Sequence, residues 1–284
     1  MPPPPPADLP LAERLTRVVK TLQFAWFSGH AILLFCVFRY ALSYIRFNAS
    51  GGFAEFCYRF AFVAAAWTYG IVVYKTMRAR QRSQGFEKPI VEDENVQYLV
   101  MAFVWFFVPQ YPLALLPYAI YSVFHVASYV RATLIPTIAP PQPIAPGSGA
   151  SPNGKQQYTQ HPISITIGNF VKRYYDSSMS VVASLEVGLF FRIVFAALLW
   201  RSRSWILLAI YSTFLRLRLD QSSHVQEAFA QLEARIDNLI GAQGTPPAAR
   251  QVWDGVKNFA RQFYVATNPR NFTGGASAPP KKTN

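Results

Sequence analysis

Polar and apolar positions in this chain fall into long blocks. From Asn95 to Val130 (NVQYLVMAFVWFFVPQYPLALLPYAIYSVFHVASYV) no residue carries a formal charge, with Glu94 just before the block and Arg131 just after it. One continuous helix of that length would measure about 50 Å, against about 30 Å for the hydrocarbon core of a bilayer. Proline removes a backbone donor and clashes with the turn before it. Pro109 and Pro112 should therefore fold the block at PQYP, and Pro117 should interrupt it again. The pattern predicts two apolar helices meeting at a tight turn inside or at the edge of a membrane. A buried hairpin of a soluble protein is the other reading, and the recurrence of such blocks weighs against it.

After a proline-rich start, Leu11, Leu15, Val18 and Val19 recur at helical spacing among basic residues, which suggests a short interfacial helix over Leu11–Lys20. A first span is expected at about Thr21–Leu42, with Arg39 placed to snorkel at its far end, and a second at about Phe53–Tyr74. Lys75–Asp93 reads as a loop, basic first and acidic at its end. Pro136–Gln160 has the Pro, Gly, Ser and Gln content of a flexible linker. Beyond it, apolar arms at about Met179–Trp200 and Trp205–Leu219 enclose Arg201-Ser202-Arg203.

The expected fold is all-α: a polytopic helical membrane protein with about four membrane-crossing or hairpin helices, plus interfacial arms and C-terminal amphipathic helices. Its expected parts are a disordered start with a short helix (1–20), an N-terminal membrane unit (21–135) and a linker (136–162). A C-terminal membrane unit (163–219), amphipathic helices (220–265) and a disordered tail (266–284) follow.

Composition agrees. Of 284 residues, 51% are hydrophobic and 14% charged, where a soluble domain carries about 25% charged residues. The net charge of +13 is concentrated beside the spans, at Arg14, Arg17 and Lys20 and at Lys75, Arg78, Arg80, Arg82 and Lys88. Basic residues favour the cytosolic side of a membrane, which puts the 75–93 loop in the cytosol. The 95–130 hairpin then leaves the cytosol and returns to it, and the linker and tail share the face of the N-terminus. Arg201 and Arg203 oppose that tendency if they turn in the lumen, so a shallow hairpin, or one span with an interfacial helix, is an alternative for 179–219. Nucleic acid is not an expected partner, because no aromatic platform or fold signature accompanies the basic residues. The start MPPPPPADLP lacks the basic region and apolar core of a signal peptide.

Among the charges within the apolar segments, Glu55, Arg59, Glu186 and Arg192 stand out as candidate intramembrane groups. Glu55 and Arg59 are one helical turn apart and should pair near the interface; Glu186 and Arg192 are costly in lipid unless they pair between helices. A transporter or channel using these charges is the competing reading. Cys36 and Cys57 lie in apolar segments and suggest neither a disulfide nor a metal site. His125, among aromatic residues, reads as a packing histidine. There is no phosphate loop, Cys/His metal spacing, paired His box or nucleophile elbow, so no catalytic, cofactor or metal residues are assigned and a non-enzymatic role is expected. The sequons at Asn48 and Asn271 sit too near the membrane, or on the wrong face, to suggest glycosylation.

Two amphipathic segments follow the last arm. Over about Gln221–Ile240, the narrow seam Val225, Phe229, Leu232, Ile236 and Leu239 suits a partner helix, a tether, or packing on the chain itself. From Pro246 to about Val265, Val252, Trp253, Val256, Phe259, Ala260 and Phe263 form an apolar stripe, with Arg250, Lys257 and Arg261 among the polar positions. That describes an interfacial helix on anionic lipids of the cytosolic face, or else a core helix of a small tail domain.

YSVFHVASYVR (Tyr121–Arg131), YYDSSM (Tyr174–Met179) and YSTFLRLRL (Tyr211–Leu219), in this order and around these spans, resemble the transmembrane protein 33 family. The resemblance covers roughly Leu11–Leu219, with an amphipathic tail after it, though the linker is longer than the family pattern. It implies residence in the endoplasmic reticulum and nuclear envelope. It also implies a link to nuclear pore complex assembly and distribution, with nucleoporins and reticulon-type membrane-shaping proteins as partners. It supplies no catalytic residues. Short hairpins and a basic helix that wedge the cytosolic leaflet are the expected mechanism.

Overall fold

The structure is a computed structural model that describes residues 8–82, 89–142, 159–242 and 245–267. Lys88, most of the proline-rich linker, the Asn271 sequon and the outermost ends of the chain lie outside the described residues. Among the described residues every regular element is helical. The chain divides into two units, Met1–Arg218 and Leu219–Asn284.

In the first unit, α1 (Leu11–Val19), α2 (Leu22–Ile45), α3 (Gly52–Arg82), α4 (Glu94–Phe107), α5 (Leu115–Tyr129), the short α6 (Ile135–Ile138), α7 (Pro162–Leu198) and most of α8 (Ser204–Gln221) follow one another. Local chemistry sets several boundaries. The Thr21 hydroxyl accepts from the Phe24 amide at the start of α2, and Asp93 does the same for the Asn95 amide at the start of α4. Pro162 opens α7, where its missing donor has no intrahelical partner to lose.

The 95–130 block does fold at PQYP. α4 ends at Phe107 and a 3₁₀ turn over Pro112–Ala114 leads into α5. Pro117 does not interrupt the second arm, because it sits in the first turn of α5, where an amide donor is not needed. Three boundaries also move. α3 continues through the basic stretch to Arg82, and α7 begins well before Met179 and runs for 37 residues. The chain stays helical past Pro136 to Ile138, with a π-type turn over Val130–Leu134 just ahead of that proline.

Among the described residues, four helical stretches are long and apolar enough to cross a membrane: Leu22–Ile45, Gly52–Arg82, Pro112–Ile138 and Pro162–Leu198. α4, at 14 residues, reaches only about 21 Å.

The long helices pair as antiparallel hairpins. α2 against α3 is the most extensive contact, α4 packs on α3, and α5 touches both α2 and α7. Small residues on α3 (Ala61, Ala64 and Ala65) let its neighbours approach, and Leu33, Tyr58, Phe62, Trp105, Tyr118 and Tyr211 fill the core. The segments on either side of the linker thus share one core. α1 is held to α6 where Arg14 Nη1 donates to the Thr137 carbonyl at 2.7 Å. Between α7 and α8 the backbone turns through left-handed residues at Trp200 (φ 51°) and Arg203 (φ 60°).

The second unit contains α9 (Ser223–Gly241) and α10 (Pro247–Ala266). Ser222 caps α9 by accepting from the Val225 amide.

Candidate functional site

Glu186, in the middle of α7, is 1% exposed. Its carboxylate accepts from the Tyr98 hydroxyl of α4 and from Arg218 Nε of α8 at 3.4 Å. Arg218 Nη1 lies 2.9 Å from Glu94 Oε1, close enough for an ion pair but not aligned as a hydrogen bond. Tyr121 of α5 accepts from Arg218 Nη2 at 3.5 Å, and the arginine lies over the Tyr98 ring. Tyr211 donates to the Glu186 carbonyl at 2.9 Å and Tyr118 to the Tyr98 carbonyl at 2.9 Å.

Four helices are tied together by this cluster, and it draws on the stretches that carry the family resemblance. Tyr121 meets Arg218, Tyr211 meets Glu186, and Phe124 packs edge-on against Tyr175. The cavity beside Glu186 is about 10 Å³, room for about one water. Chemically, the arrangement can hold a buried charge neutral and fix helix register.

Sequence reasoning placed Glu186 in an inter-helix pair but did not find its partner. Arg192 sits on another face of α7, because six residues advance a helix by well over one turn. It lies instead over the Tyr111 ring, 5.6 Å from the centroid. The available signal for Arg218 was a pair of arginines, Arg216 and Arg218, at the end of the apolar arm Trp205–Leu219.

Glu55 and Arg59 do come together, at 3.7 Å. Yet the guanidinium of Arg59 is engaged mainly by α4: Nη1 donates to the carbonyls of Trp105, Phe106 and Val108, the last at 2.6 Å. These carbonyls end a helix and have no intrahelical donor, and a cation also suits the negative end of the helix dipole. The turn after α4 is further held by Tyr58, which accepts from the Tyr111 amide at 2.9 Å, and by Tyr40, which donates to Gln110 at 3.0 Å. Elsewhere in the core, His125 packs against Trp26 and His30, and His30 Nδ1 lies 2.9 Å from the Ser122 hydroxyl.

In the second unit, α10 lies against α9 through polar contacts. Asp237 accepts from Trp253 Nε1 at 2.6 Å and from Lys257 Nζ at 2.9 Å. Arg261 is 3.6 Å from Glu233, and Tyr264 donates to Asp220 at 3.0 Å. The Trp253 hydrogen bond and then Lys257 hold the Asp237 carboxyl below its ordinary range, and Asp237 in turn holds Lys257 above its own.

The expected membrane-binding residues thus divide between two faces. Trp253, Lys257 and Arg261 turn toward α9, about 90° or more around the helix from the centre of the stripe of Val252, Val256, Phe259 and Phe263. That stripe is uncovered, at 68%, 49%, 69% and 46% exposure respectively. Arg250 is exposed as well. In the α9 seam Val225 is buried, Phe229, Leu232 and Ile236 are half-buried, and Leu239 is exposed.

A family model described as Transmembrane protein 33/Nucleoporin POM33 matches residues 11–265. The chain is 67% identical to "Nucleoporin POM33" of Chaetomium thermophilum, over 99% of each chain. It is 30% identical to "Pore membrane protein of 33 kDa" of Saccharomyces cerevisiae, over 89% of this chain and 87% of that one. It is 32% identical to "Tetra-spanning protein 1" of Schizosaccharomyces pombe, over 89% of this chain and 88% of that one. No solved structure matches the chain significantly. Matched by the family model over residues 11–265 and by relatives along nearly its whole length, the chain belongs to the transmembrane protein 33/nucleoporin POM33 family.

Proposed function

We propose that this chain is a non-enzymatic integral membrane protein of the nuclear envelope and endoplasmic reticulum that organises curved membrane around nuclear pores. The location draws on relatives named for the pore membrane and, in one case, for the pore and endoplasmic reticulum. Nucleoporins and reticulon-type proteins are the partners this reading implies.

The observation that carries the mechanism is the uncovered stripe Val252, Val256, Phe259 and Phe263 on α10. A fully buried Val or Phe side chain contributes about 1.5–3 kcal/mol, so four on one face favour docking at the acyl boundary, where α10 takes up area in one leaflet only. Arg250 faces the headgroups directly. Lys257 and Arg261 reach them by exchanging α9 carboxylates for lipid phosphates, and Trp253 stays on the α9 side until they do. Of the charges that motivated a transporter, Glu186 holds Arg218 and Arg59 caps α4, which supports a structural role for these two.

Flotation of the tail, residues 219–284, with vesicles of phosphatidylcholine and phosphatidylserine tests this. Small vesicles should retain more tail than large ones. Phe259→Asp with Phe263→Asp should lower binding by more than about tenfold, since both anchors are lost. Equal binding to all sizes and charges, or no loss in the double variant, overturns the wedge.

A further inference from the structure

The turn between α4 and α5 stops short of the hairpin ends around it. Its partners on neighbouring helices are Tyr40, Tyr58, Arg59 and Arg192. Each lies about 7–10 Å along its helix from the end at Ile45, Gly52 or Leu198. The Val108–Tyr111 backbone is irregular and half-exposed, with Pro109 open. Non-helical backbone at membrane depth is tolerated where protein buries it or where water reaches it. Arg59 from one side and the Tyr58 hydroxyl from another satisfy part of this turn, and its outer side stays open.

At that open side sits Arg192. It is exposed, its guanidinium lies over Tyr111, and among the described residues no carboxylate pairs with it. A guanidinium stacked on a ring keeps its edge N–H groups free, and their fork geometry matches a phosphate. Arg39, on α2 at a similar level, is already engaged by the Ser43 hydroxyl at 3.1 Å and by the Phe53 ring.

We propose that Arg192, with Tyr111 and the recessed α4–α5 turn, is a binding site for the phosphate of a membrane phospholipid, drawn inward at the closed end of the hairpins. The headgroup and its water fill the recess and thin that leaflet locally, which supplies the polar surroundings the turn needs. The site is separate from the tail and stands or falls independently of the wedge.

Native mass spectrometry of the full chain tests it, with equimolar phosphatidylglycerol and digalactosyldiacylglycerol added to the detergent. The galactolipid has sugar hydroxyls but no phosphate, so it separates headgroup charge from general lipid adhesion. Wild type should retain the phospholipid selectively. Arg192→Gln should cut the population carrying it about fivefold, and Arg192→Lys should restore part of the loss because the charge returns without the fork. Arg192→Gln should leave the helical circular dichroism unchanged. Equal retention of the two lipids, or a phospholipid population unchanged in Arg192→Gln, overturns the proposal. If Arg192→Gln does not fold, Arg192→Lys carries the test: retention equal to or above wild type contradicts a fork-shaped site.

Discussion

Arg218 and Glu186 join the end of α8 to the middle of α7, with Arg218 Nε 3.4 Å from Glu186 Oε2 and both side chains buried. Removing Arg218 leaves the buried Glu186 carboxylate without its cation, which destabilises by about 3–5 kcal/mol. Arg218→Gln should therefore lower the thermal midpoint of the detergent-solubilised chain sharply. Glu186→Gln with Arg218→Gln should recover much of the loss, because two amides can bond across the same gap. A double variant as unstable as the sum of the singles would show that the two residues act separately.

Arg59 should matter more than its acidic neighbour. Arg59→Met strips the α4 end of its cap and leaves carbonyls without donors, for about 2–3 kcal/mol. Glu55 is about half exposed, so Glu55→Gln should lose less than about 1 kcal/mol. Chemical denaturation of both variants checks the order. A larger effect at Glu55 would mean that the ion pair, and not the carbonyls, holds Arg59.

Gly29 is a close-approach position between α2 and α3. A Cβ there would lie 2.5 Å from Thr68 Cγ2 and 3.0 Å from Trp67. Thr68 is buried and donates to the Ala65 carbonyl at 2.9 Å, so its methyl cannot turn aside freely. Gly29→Ala gains about 1 kcal/mol of helix propensity, but the overpacking, at about 1–3 kcal/mol, should exceed it. The thermal midpoint of Gly29→Ala is expected to fall, and a rise would mean that the helices part easily.

The α9–α10 contact should respond to pH at both extremes. Asp237 is held below its ordinary 3.8, so its contribution is present above that value and is lost as pH falls through its lowered one. Lys257 is held above its ordinary 10.5, so its contribution is present below that value and is lost as pH rises through its raised one. Between about pH 5 and 9 the pairing should be constant. The proton resonance of the Trp253 indole N–H reads it directly, and a midpoint near neutrality would point to a different group.

Because α9 carboxylates occupy the α10 cations, Asp237→Asn should strengthen the tail on membranes. The substitution removes one negative charge and releases Lys257, which raises affinity for phosphatidylserine vesicles by about fivefold. Flotation at two salt concentrations measures it, with the gain shrinking as salt rises. Weaker binding would mean that α9 presents α10 to the lipid and does not mask it.

Much of the fold was legible in the sequence because membrane spans are long apolar blocks and prolines mark where they end. The turn at PQYP and the count of about four spans followed from those signals, and the two tail helices from apolar residues recurring at helical spacing. Pro117 misled because a proline in a first turn looks the same in sequence as one in mid-helix. The extensions of α3 and α7 were hidden because polar helix outside a membrane has no apolar block to mark it. The Glu186–Arg218 pair joins residues from different helices, and no local spacing encodes that. On α10 the pattern placed Trp253 with the apolar stripe by chemistry, but its indole N–H needed an acceptor and turned it toward Asp237.

The most direct measurement is the shape of membranes that hold the full chain. The protein is reconstituted into phosphatidylcholine/phosphatidylserine vesicles and their diameters are measured by electron cryomicroscopy. Wild type should shift the population to smaller vesicles or tubules as the protein-to-lipid ratio rises, and Phe259→Asp with Phe263→Asp should abolish most of that shift at equal incorporation. Diameters that match protein-free vesicles, or that shift equally for the double variant, would contradict a membrane-curving role for the tail.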